Sequence, residues 1–307
     1  MIIEQMSATL GLPSRFIVNM AKGASHEYKH YSIPKRQGGT RDIYHPSRRL
    51  KGLQRWLLAN VIEKWPVHEA AMAYRRRSSI FDNASRHAGS RYLLGMDFAN
   101  FFPSISEEDL RAYIAERPNL FAGWSSMDID VFCRFVCRGR VLTIGAPTSP
   151  ALSNAICYDL DSQLHALCIK SDVAYSRYAD DLFFSTLRQG VLVGVEKEVG
   201  AIVSHLNLPR KLTLNLNKTR HSSKRGARRV TGIVLGSDGL PHIGRKLKRT
   251  IRSLIHKYDS LDDPTRTKLA GLIAYASGFD PDFLNGLINK YGLSVIRRAR
   301  TGRLPGN

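Results

Sequence analysis

The chain has 307 residues, which is room for two or three compact units, and its hydrophobic share of 43% allows a sizeable core. Its formal net charge of +20 sets up a persistent positive field, which favours nucleic acid as a partner over a membrane surface. No apolar run reaches the roughly 20 residues that span a bilayer, and no basic-then-apolar signal segment begins the chain, so we expect a cytoplasmic protein without membrane contact.

The cysteines indicate buried thiols and no metal site. Cys133 and Cys137 lie one helical turn apart in an apolar run, and the sequence has no CxxC pair and no histidine cluster at zinc spacing. We interpret these two residues, together with Cys157 and Cys168, as core thiols of an intracellular protein.

A basic hairpin is predicted after a short helical pattern in residues 1–30. Residues 31–44 fit two strands around a Gly-Gly turn. Lys35, Arg36 and Arg41 cluster at that turn, and such cations match phosphate oxygens. The hairpin could therefore fold over a triphosphate, although a solvated basic turn explains the same residues.

An amphipathic helix follows the hairpin. Leucines recur at spacings of three and four from Leu50 to Leu57, Ser47 precedes them as an N-cap, and Pro66 ends the pattern. This stripe predicts core packing.

The stretch 91–105 is predicted to carry a functional carboxylate. An apolar strand ends at Asp97, and two phenylalanines and a proline follow it. A carboxylate at a strand end can meet a turn on a neighbouring strand. A lone aspartate here would more often be a helix cap or a turn residue, but its context favours a ligand.

Helices are expected over much of residues 106–167. Residues 106–140 begin with a polar segment that resembles a capped first turn. The Pro/Gly turn at 145–150 then feeds a long helix with an apolar stripe from Leu152 to Leu167. Small residues in that turn would let a ligand approach the backbone closely.

The most informative stretch is 175–185, in which Asp180 and Asp181 lie between two apolar, β-prone runs. The runs predict paired strands with Ala-Asp-Asp as the tight turn between them. Two adjacent carboxylates repel each other unless a cation lies against them, and hard oxygen ligands suit Mg²⁺. For the dipeptide alone, a turn without function is the alternative.

Phosphoryl-transfer chemistry is predicted if Asp97 converges with Asp180 and Asp181. Three carboxylates from two segments could hold two Mg²⁺ ions. Two metals clamp the attacking and leaving oxygens of an in-line displacement at phosphorus and neutralise charge on the transferred group.

Beyond the Asp-Asp hairpin the chain is predicted to become increasingly helical and basic. Residues 191–206 fit an amphipathic helix, while 212–219 and 230–236 fit strands. Residues 241–307 carry 13 Lys or Arg against 5 Asp or Glu, an excess of +8. Cations crowd the start of one helix there, which opposes the helix dipole unless a polyanion lies alongside.

Taken together, these segments resemble the bacterial retron reverse transcriptases from about Ile33 to Gly239. The string 178–181 and the stretch 98–105 resemble palm motifs of reverse transcriptases at large, and residues 145–154 resemble their nucleotide-site loop and helix. Two further elements resemble retron enzymes in particular. Asn83-Ala84-Ser85-Arg86-His87 resembles their Asn-Ala-x-x-His element, and Val230-Thr231-Gly232 resembles their Val-Thr-Gly element in the primer-grip region.

The resemblance implies an α+β, right-hand polymerase fold with fingers, a palm built on an antiparallel sheet, and a helical thumb. It places an N-terminal region and fingers at 1–90 and a palm at 91–240, with a fingers insertion at about 106–145. The basic helical thumb would occupy 241–307.

The resemblance also implies residue roles. Asp97, Asp180 and Asp181 would be catalytic ligands of two Mg²⁺ ions, with the backbone carbonyl of Phe98 as a further ligand. Phe102 would lie under the sugar of the incoming nucleotide and reject a 2′-hydroxyl. The other nucleotide contacts would be Lys35, Arg41, Gly145, Ala146 and Lys218, the last as a proton donor to pyrophosphate. RNA or primer contacts would be Asn83, His87, Val230, Thr231, Gly232, Arg245, Lys246, Lys248 and Arg249, with a purely fold-holding role as the alternative for Asn83 and His87.

One departure from the family pattern affects the nucleotide site. The family usually has Leu-Pro-Gln-Gly where this chain has Leu142-Thr143-Ile144-Gly145. Because Ile144 replaces the glutamine that normally contacts the incoming nucleotide, we expect altered nucleotide affinity or fidelity, with backbone contacts from this loop retained.

The activity implied by the resemblance is RNA-directed DNA synthesis on a cognate retron non-coding RNA. Such enzymes use dNTPs, prime from the 2′-hydroxyl of an internal guanosine and make a branched product, msDNA. Retrons commonly act in anti-phage defence with a separate effector protein. The alternatives are a group II intron-like or diversity-generating reverse transcriptase, and a polymerase-fold RNA-binding scaffold without catalysis.

Overall fold

The computed structural model describes residues 1–35 and 38–301 and contains both helices and sheets. This mixture confirms the predicted α+β class. The helices are α1 (Ile2–Leu10), α2 (Ser14–Gly23), α3 (Arg48–Asn60), α4 (Ile80–Ala88), α5 (Glu107–Ala115), α6 (Ser126–Val136), α7 (Ser149–Ile156), α8 (Tyr158–Ser171), α9 (Val191–Ser204), α10 (Arg245–His256), α11 (Asp263–Phe279), α12 (Pro281–Tyr291) and α13 (Leu293–Thr301).

The strands form three sheets. A two-stranded antiparallel sheet pairs β1 with β2, a four-stranded sheet has the order β4-β5-β3-β6, and a three-stranded antiparallel sheet has the order β7-β8-β9. The strands are β1 (Tyr28–Pro34), β2 (Thr40–Pro46), β3 (Tyr92–Asp97), β4 (Ala174–Tyr178), β5 (Asp181–Thr186), β6 (Arg220–Ser223), β7 (Arg228–Val230), β8 (Ile233–Leu235) and β9 (Pro241–His242).

Tertiary contacts divide the chain into two compact units. The first comprises residues 1–78, 94–184 and 190–220, and the second comprises 79–93, 185–189 and 221 onward. The domain boundaries near 90 and 240 that the resemblance implies stay a prediction.

The first unit has an aromatic core around Trp65. Its ring stacks on Tyr113 at a centroid distance of 5.1 Å and meets the edges or faces of Phe121 and Phe132 at 5.1 and 5.5 Å. Such close-packed rings contribute beyond their buried area. The four cysteines are also buried, as predicted, and burial raises the pKa of Cys133, Cys157 and Cys168 to about 12.

Capping side chains begin several helices where the sequence predicts them. The Ser47 hydroxyl accepts the Leu50 N–H at 3.2 Å at the start of α3. Ser106 and Asp109 form a reciprocal capping box at the start of α5. Each side chain accepts a backbone N–H that the helix cannot satisfy internally, so these caps fix where the helices start.

The second unit contains a core between α10, α11, α12 and α13. Ile251, Ile255, Leu269, Ile273 and Leu287 are each at most 3% exposed there. Ile251 and Ile255, like Leu269 and Ile273, are four residues apart on one helix, so each helix buries an apolar stripe, which explains why this basic segment folds as helices. The prediction of a mostly helical C-terminal region is confirmed. No helix in the described part of the chain is long and apolar enough to cross a membrane.

A buried carboxylate ties α10 to the start of α12. Asp280 is 2% exposed, and its side chain accepts the Phe283 N–H at 3.1 Å and pairs with the Lys248 ammonium at 2.6 Å. Burial alone would raise the pKa of this carboxyl, but the bonds from Lys248 and Phe283 and the charge of His242 hold the pKa below its usual value.

Two predicted strands are wrong. Residues 212–219 contain only an isolated antiparallel bridge between Leu214 and Phe98, followed by a 3₁₀ turn at Leu216–Lys218. Residues 230–236 are not one strand, because Thr231 and Gly232 have positive φ values of 47° and 89° and form the turn between β7 and β8. Positive φ at both central residues is the geometry that joins tightly paired antiparallel strands.

Two long helical predictions are divided in the structure. Residues 106–140 form α5 and α6, and the stretch after residue 148 forms α7 and α8 with a break at Cys157. Cys157 caps both of these helices with a φ of −79° and a ψ of 10°, which is outside helical geometry.

Candidate active site

The tight hairpin predicted around Asp180 and Asp181 is confirmed, with Asp181 as the first residue of its second strand rather than part of the turn. Strand β4 ends at Tyr178 and β5 begins at Asp181, so two residues make the turn. Ala179 has a φ of 58°, a left-handed value that is uncommon for a residue with a side chain. The turn therefore needs support from the residues beneath it.

Asp97 lies beside this turn. The Phe98 N–H donates to the Asp180 carbonyl at 3.0 Å, so the end of β3 is bonded to the turn. On its other side, the Asp97 carbonyl accepts the Asn215 N–H at 2.7 Å, and the Ala99 N–H donates to the Thr213 carbonyl at 2.9 Å. Backbone bonds thus hold the carboxylate-bearing end of β3 between two segments.

Mutual repulsion marks the three aspartates as one electrostatic cluster. Burial first, and then the carboxylates of Asp180 and Asp97, raise the pKa of Asp181 to about 7. Burial and the Asp97 charge also raise the pKa of Asp180, against opposing effects of Lys218 and Arg41. These carboxylates are therefore close enough to destabilise one another's charge.

Lys218 partly offsets this negative charge. Its ammonium lies 3.0 Å from both carboxylate oxygens of Asp97, which is 7% exposed. Within residues 1–35 and 38–301, no three His, Cys, Asp or Glu side chains are already spaced as ligands of one ion. The donor set nevertheless fits a divalent cation, because hard carboxylate oxygens whose repulsion is only partly neutralised gain most from such a charge.

The predicted nucleotide loop is joined to the basic hairpin through its backbone. The Tyr44 N–H on β2 donates to the Ile144 carbonyl at 2.8 Å. Gly145 has a φ of 114°, and a Cβ there would lie 2.5 Å from the Tyr44 carbonyl oxygen. Only glycine allows this approach. Ala146 is 3% exposed, so its contribution to a ligand would have to come from the backbone or from shaping the loop.

The basic hairpin is confirmed, with antiparallel register from Tyr28↔Pro46 to Pro34↔Thr40. Arg41 is exposed on β2, and its charge opposes the rise in the pKa of Asp180, so it acts on the carboxylate cluster. Lys35 is also exposed, whereas Arg36 lies outside the described residues. Of the described hairpin cations, Arg41 is therefore the one with an electrostatic effect on the cluster.

Phe102 lies next to two other aromatic rings. It is partly exposed, and its ring centroid is 5.5 Å from Phe101 and 6.5 Å from Tyr74. Phe101 is buried at 4% exposure and packs on Phe98, which is also buried. Phe102 thus packs against buried Phe101 while part of its own ring stays accessible.

Asn83 and His87 are both fully buried on α4. The His87 ring contacts the Ser185 hydroxyl at 2.7 Å, and burial, with a smaller effect of Arg86, lowers the pKa of His87 to about 3. The imidazole is therefore neutral at pH 7. This burial favours the fold-holding alternative, and direct RNA contact by these residues stays a prediction.

The Val230-Thr231-Gly232 element lies at a tight turn. Val230 is buried, and the Thr231 hydroxyl donates to the Ile80 carbonyl at 3.4 Å. Gly232 is exposed at the tip. Of the three predicted contact residues, Gly232 and the partly exposed Thr231 present surface to a ligand.

The cations of α10 are not equivalent. Arg245, Lys246 and Arg249 are exposed and make no ion pair with any described residue. Lys248 is instead bound to Asp280, and its ammonium lies 5.1 Å from the Phe283 ring centroid. Sequence spacing grouped all four, but only three present unpaired charge.

A buried charged pair lies under the turn, and the sequence patterns did not predict it. Arg177 is fully buried on β4, and its Nε and Nη2 donate to the two oxygens of buried Asp161 at 2.8 and 2.6 Å. Its Nη1 donates to the Asn154 side chain and to the Ala179 carbonyl, both at 3.2 Å. Arg177 therefore directly holds the first residue of the Asp-Asp turn.

A sequence signal for this pair existed. Asp161 lies among leucines of α8, and Arg177 lies inside an apolar strand. Opposite charges in two apolar runs that both pack in a core must meet, because an isolated buried charge is very costly. Burial alone would lower the pKa of the Arg177 guanidinium, but the Asp161 carboxylate outweighs it and the pKa is raised.

The chain is similar to known proteins over most of its length. The family described as "Reverse transcriptase (RNA-dependent DNA polymerase)" matches residues 33–238. The Retron Ec83 reverse transcriptase of Escherichia coli is 35% identical over 292 residues, which is 93% of this chain and 93% of the relative. The chain belongs to the bacterial retron reverse transcriptases. It is accordingly an RNA-directed DNA polymerase, a nucleotidyltransferase with the right-hand polymerase fold.

Other similarities are more distant. The Retron Ec86 reverse transcriptase of Escherichia coli is 28% identical over 91% of this chain and 87% of the relative. A telomerase structure from Candida albicans in complex with a telomeric RNA fragment has 13% identity and a TM-score of 0.49, over 91% of this chain and 61% of that chain.

We predict that the Arg177–Asp161 pair is essential for stability. Asp161→Ala should lower the free energy of unfolding by about 3–5 kcal/mol, because it leaves a buried guanidinium without its counter-charge. Urea unfolding measures this loss. The double change Asp161→Leu with Arg177→Met should lower the free energy of unfolding by less than the sum of the losses from the two single changes.

The partly exposed pair of Arg111 and Glu107 serves as the control. Glu107→Gln should lower the free energy of unfolding by less than about 1 kcal/mol, as is usual for ion pairs near the surface. An equally small cost for Asp161→Ala would refute the assigned role.

Proposed function

We propose that this reverse transcriptase copies part of a cognate structured non-coding RNA into msDNA. Priming would use the 2′-hydroxyl of an internal guanosine of that RNA, and dNTPs would be the substrates. The observation that carries the proposal is the cluster of Asp97, Asp180 and Asp181, with Lys218 and Arg41 as neighbouring cations. Family resemblance supports the retron reaction, a role in anti-phage defence, a cytoplasmic location and a separate effector protein.

Asp97, Asp180 and Asp181 would hold two Mg²⁺ ions, with the Phe98 carbonyl as a further ligand. When bound, these ions would neutralise charge on the transferred phosphoryl group and favour ionisation of the attacking hydroxyl. The residues that position this site are those of β3, the β4–β5 turn and the buried Arg177.

The remaining site residues would bind and orient the nucleotide. Arg41 and Lys35 would contact the triphosphate, and the Gly145 backbone would approach it closely. Lys218 would donate a proton to pyrophosphate, and the 3.0 Å contacts of its ammonium with Asp97 support this role. Phe102 would face the sugar and exclude a 2′-hydroxyl.

The direct test of the retron reaction is to co-express the chain with the DNA that flanks its gene. A short single-stranded DNA whose length shifts after RNase and debranching treatment would support 2′-priming. Extension of a DNA-primed RNA template without any branched product would favour a conventional reverse transcriptase, and inactivity in both assays would favour the scaffold alternative.

We predict that Asp180→Asn with Asp181→Asn abolishes DNA synthesis. The metals would lose two charged ligands, and the several kcal/mol that they supply correspond to a loss of at least about a thousandfold in rate. Extension of a DNA-primed RNA template measures this loss of rate. RNA binding by the double variant should be retained. Asp282→Asn, an exposed change of the same kind, should leave the rate unaltered. Normal msDNA from the double variant would disprove the metal-site assignment.

We predict that Phe102→Ala admits ribonucleotides. Removing the ring should reduce the preference for dNTP over rNTP, measured as the ratio of kcat/KM values, by about 10- to 200-fold. Phe102→Tyr keeps the ring and should keep the preference. Unchanged selectivity in the alanine variant would show that another residue is the gate.

We predict that the exposed cations of α10 bind RNA and that Lys248 does not. Changing Arg245, Lys246 and Arg249 to Gln should weaken RNA binding and reduce its logarithmic salt dependence by about 2–3, without loss of stability. Lys248→Gln should instead lower the free energy of unfolding by about 1.5–3 kcal/mol, since buried Asp280 loses its charged partner. Weaker RNA binding by the Lys248→Gln variant, or a loss of stability without weaker RNA binding in the triple variant, would contradict this division of roles.

A further inference from the structure

A basic groove lies at the junction of the hairpin and α3, in the first compact unit. It has a volume of about 690 Å³ and is lined by Lys29, Arg48, Lys51 and Arg55, with Glu27 as its only carboxylate among the described lining residues. Within the described part of the chain, none of the four cations makes an ion pair. The groove therefore carries four cations against one carboxylate, an excess of positive charge.

The folding of this region places the cations on one side. Arg48, Lys51 and Arg55 are spaced at three and four residues, so they follow one face of α3, while Leu50, Leu53 and Leu57 are buried in the core. Lys29 reaches the groove from β1, opposite His45 of β2. The Ser47 N–H donates to the Glu27 carbonyl at 2.7 Å, which fixes the start of α3 against the hairpin.

The position of the charges is unfavourable for the protein alone. Arg48 and Lys51 lie in the first turn of α3, where the helix dipole disfavours cations, and no acidic residue occupies that turn. Four like charges around one groove also repel one another. An anionic ligand would remove both costs.

The spread of the charges suits a polymer more than a single anion. A helix rises about 1.5 Å per residue, so Arg48 and Arg55 lie about 10 Å apart along the axis, which is too far for one phosphate to contact both. Successive phosphates of a nucleic acid strand would meet them in turn.

The groove is suited to a duplex rather than to splayed bases. Tyr28 is the only Phe, Tyr or Trp among the described lining residues; it is only partly exposed, and its hydroxyl accepts a hydrogen bond from the Gln54 amide at 2.8 Å. Single-stranded nucleic acid is usually bound by stacking on exposed aromatic rings, whereas A-form RNA stems are recognised by shape and phosphate contacts.

We propose that this groove binds the phosphate backbone of a double-stranded stem in the RNA partner. This proposal rests on the proposed function only in taking the partner to be a structured RNA. The contact is independent of base sequence and separate from the carboxylate cluster, so it holds the RNA without taking part in nucleotide transfer.

The test compares two triple variants of the full chain. Lys29→Gln, Lys51→Gln and Arg55→Gln neutralise the groove, and Lys64→Gln, Lys170→Gln and Lys197→Gln remove the same charge from exposed sites elsewhere in the same unit. The probe is a fluorescent RNA hairpin with a stem of about 16 base pairs or more. Its Kd is measured between about 50 and 200 mM salt.

The groove variant should reduce the logarithmic salt dependence of binding by about 2–3, and the control variant by less than about 1. The conservative variant Lys29→Arg with Lys51→Arg should bind as the wild type does. Thermal unfolding midpoints equal to that of the wild type show that each variant is folded. Equal slopes for groove and control variants, or no hairpin binding by the wild type, would overturn the proposal.

Two further measurements distinguish a stem-binding groove from a small-anion site and from the active site. In the first, inorganic phosphate or ATP is added and the thermal unfolding midpoint is measured. If the ligand raises the midpoint of the wild type but not of the groove variant, and both bind the hairpin with the same salt dependence, the groove is a small-anion site and the RNA assignment is overturned. Extension of a saturating DNA-primed RNA template should be unchanged in the groove variant. A wild type that binds the hairpin through the groove but makes no DNA would refute the proposed function and leave the groove assignment standing.

Discussion

The geometry of the active site depends on one buried ion pair, that of Arg177 with Asp161. Burying either charge alone would be prohibitive, so the pair is tolerated only because both carboxylate oxygens are engaged and the guanidinium has further acceptors in Asn154 and Ala179. The planar fork of the guanidinium fixes the direction of every bond. As a result β4, α7 and α8 have one mutual arrangement, and the left-handed Ala179 is held where Asp180 and Asp181 must project.

A second constraint is the repulsion that the scaffold builds into its carboxylate cluster. The backbone bonds of Phe98 and Asn215 leave Asp97 little freedom to move away from the Asp180 turn. Burial first, and then this crowding, raise the pKa of Asp181 to about 7, and Lys218 offsets only part of the rise. The site is thus preorganised for added positive charge, since a rigid group of repelling anions is where a cation gains the most binding free energy.

The parts of the structure that sequence could predict are those with local signals. The β4–β5 hairpin and the β1–β2 hairpin follow from β-prone runs around short turns, and the helix caps follow from single serines. The prediction for 212–219 failed because the alternation of Leu and Asn looks like a strand, yet only Leu214 finds a strand partner, in Phe98. The division of 230–236 was missed because nothing about Thr231 signals its positive φ.

Long-range pairing limits what the sequence reveals about charge. Lys248 differs from its neighbours only because Asp280, 32 residues away, is buried against it. Similarly, Arg228 is 1% exposed and donates to the carbonyls of Ala88, Ser90 and Gly236, so this cation serves the fold. The net charge of +20 therefore overstates the surface available to nucleic acid. Cations that already have carboxylate or carbonyl partners hold the protein together, whereas cations without such partners, among them those on α10 and in the groove beside α3, have charge to offer an RNA backbone.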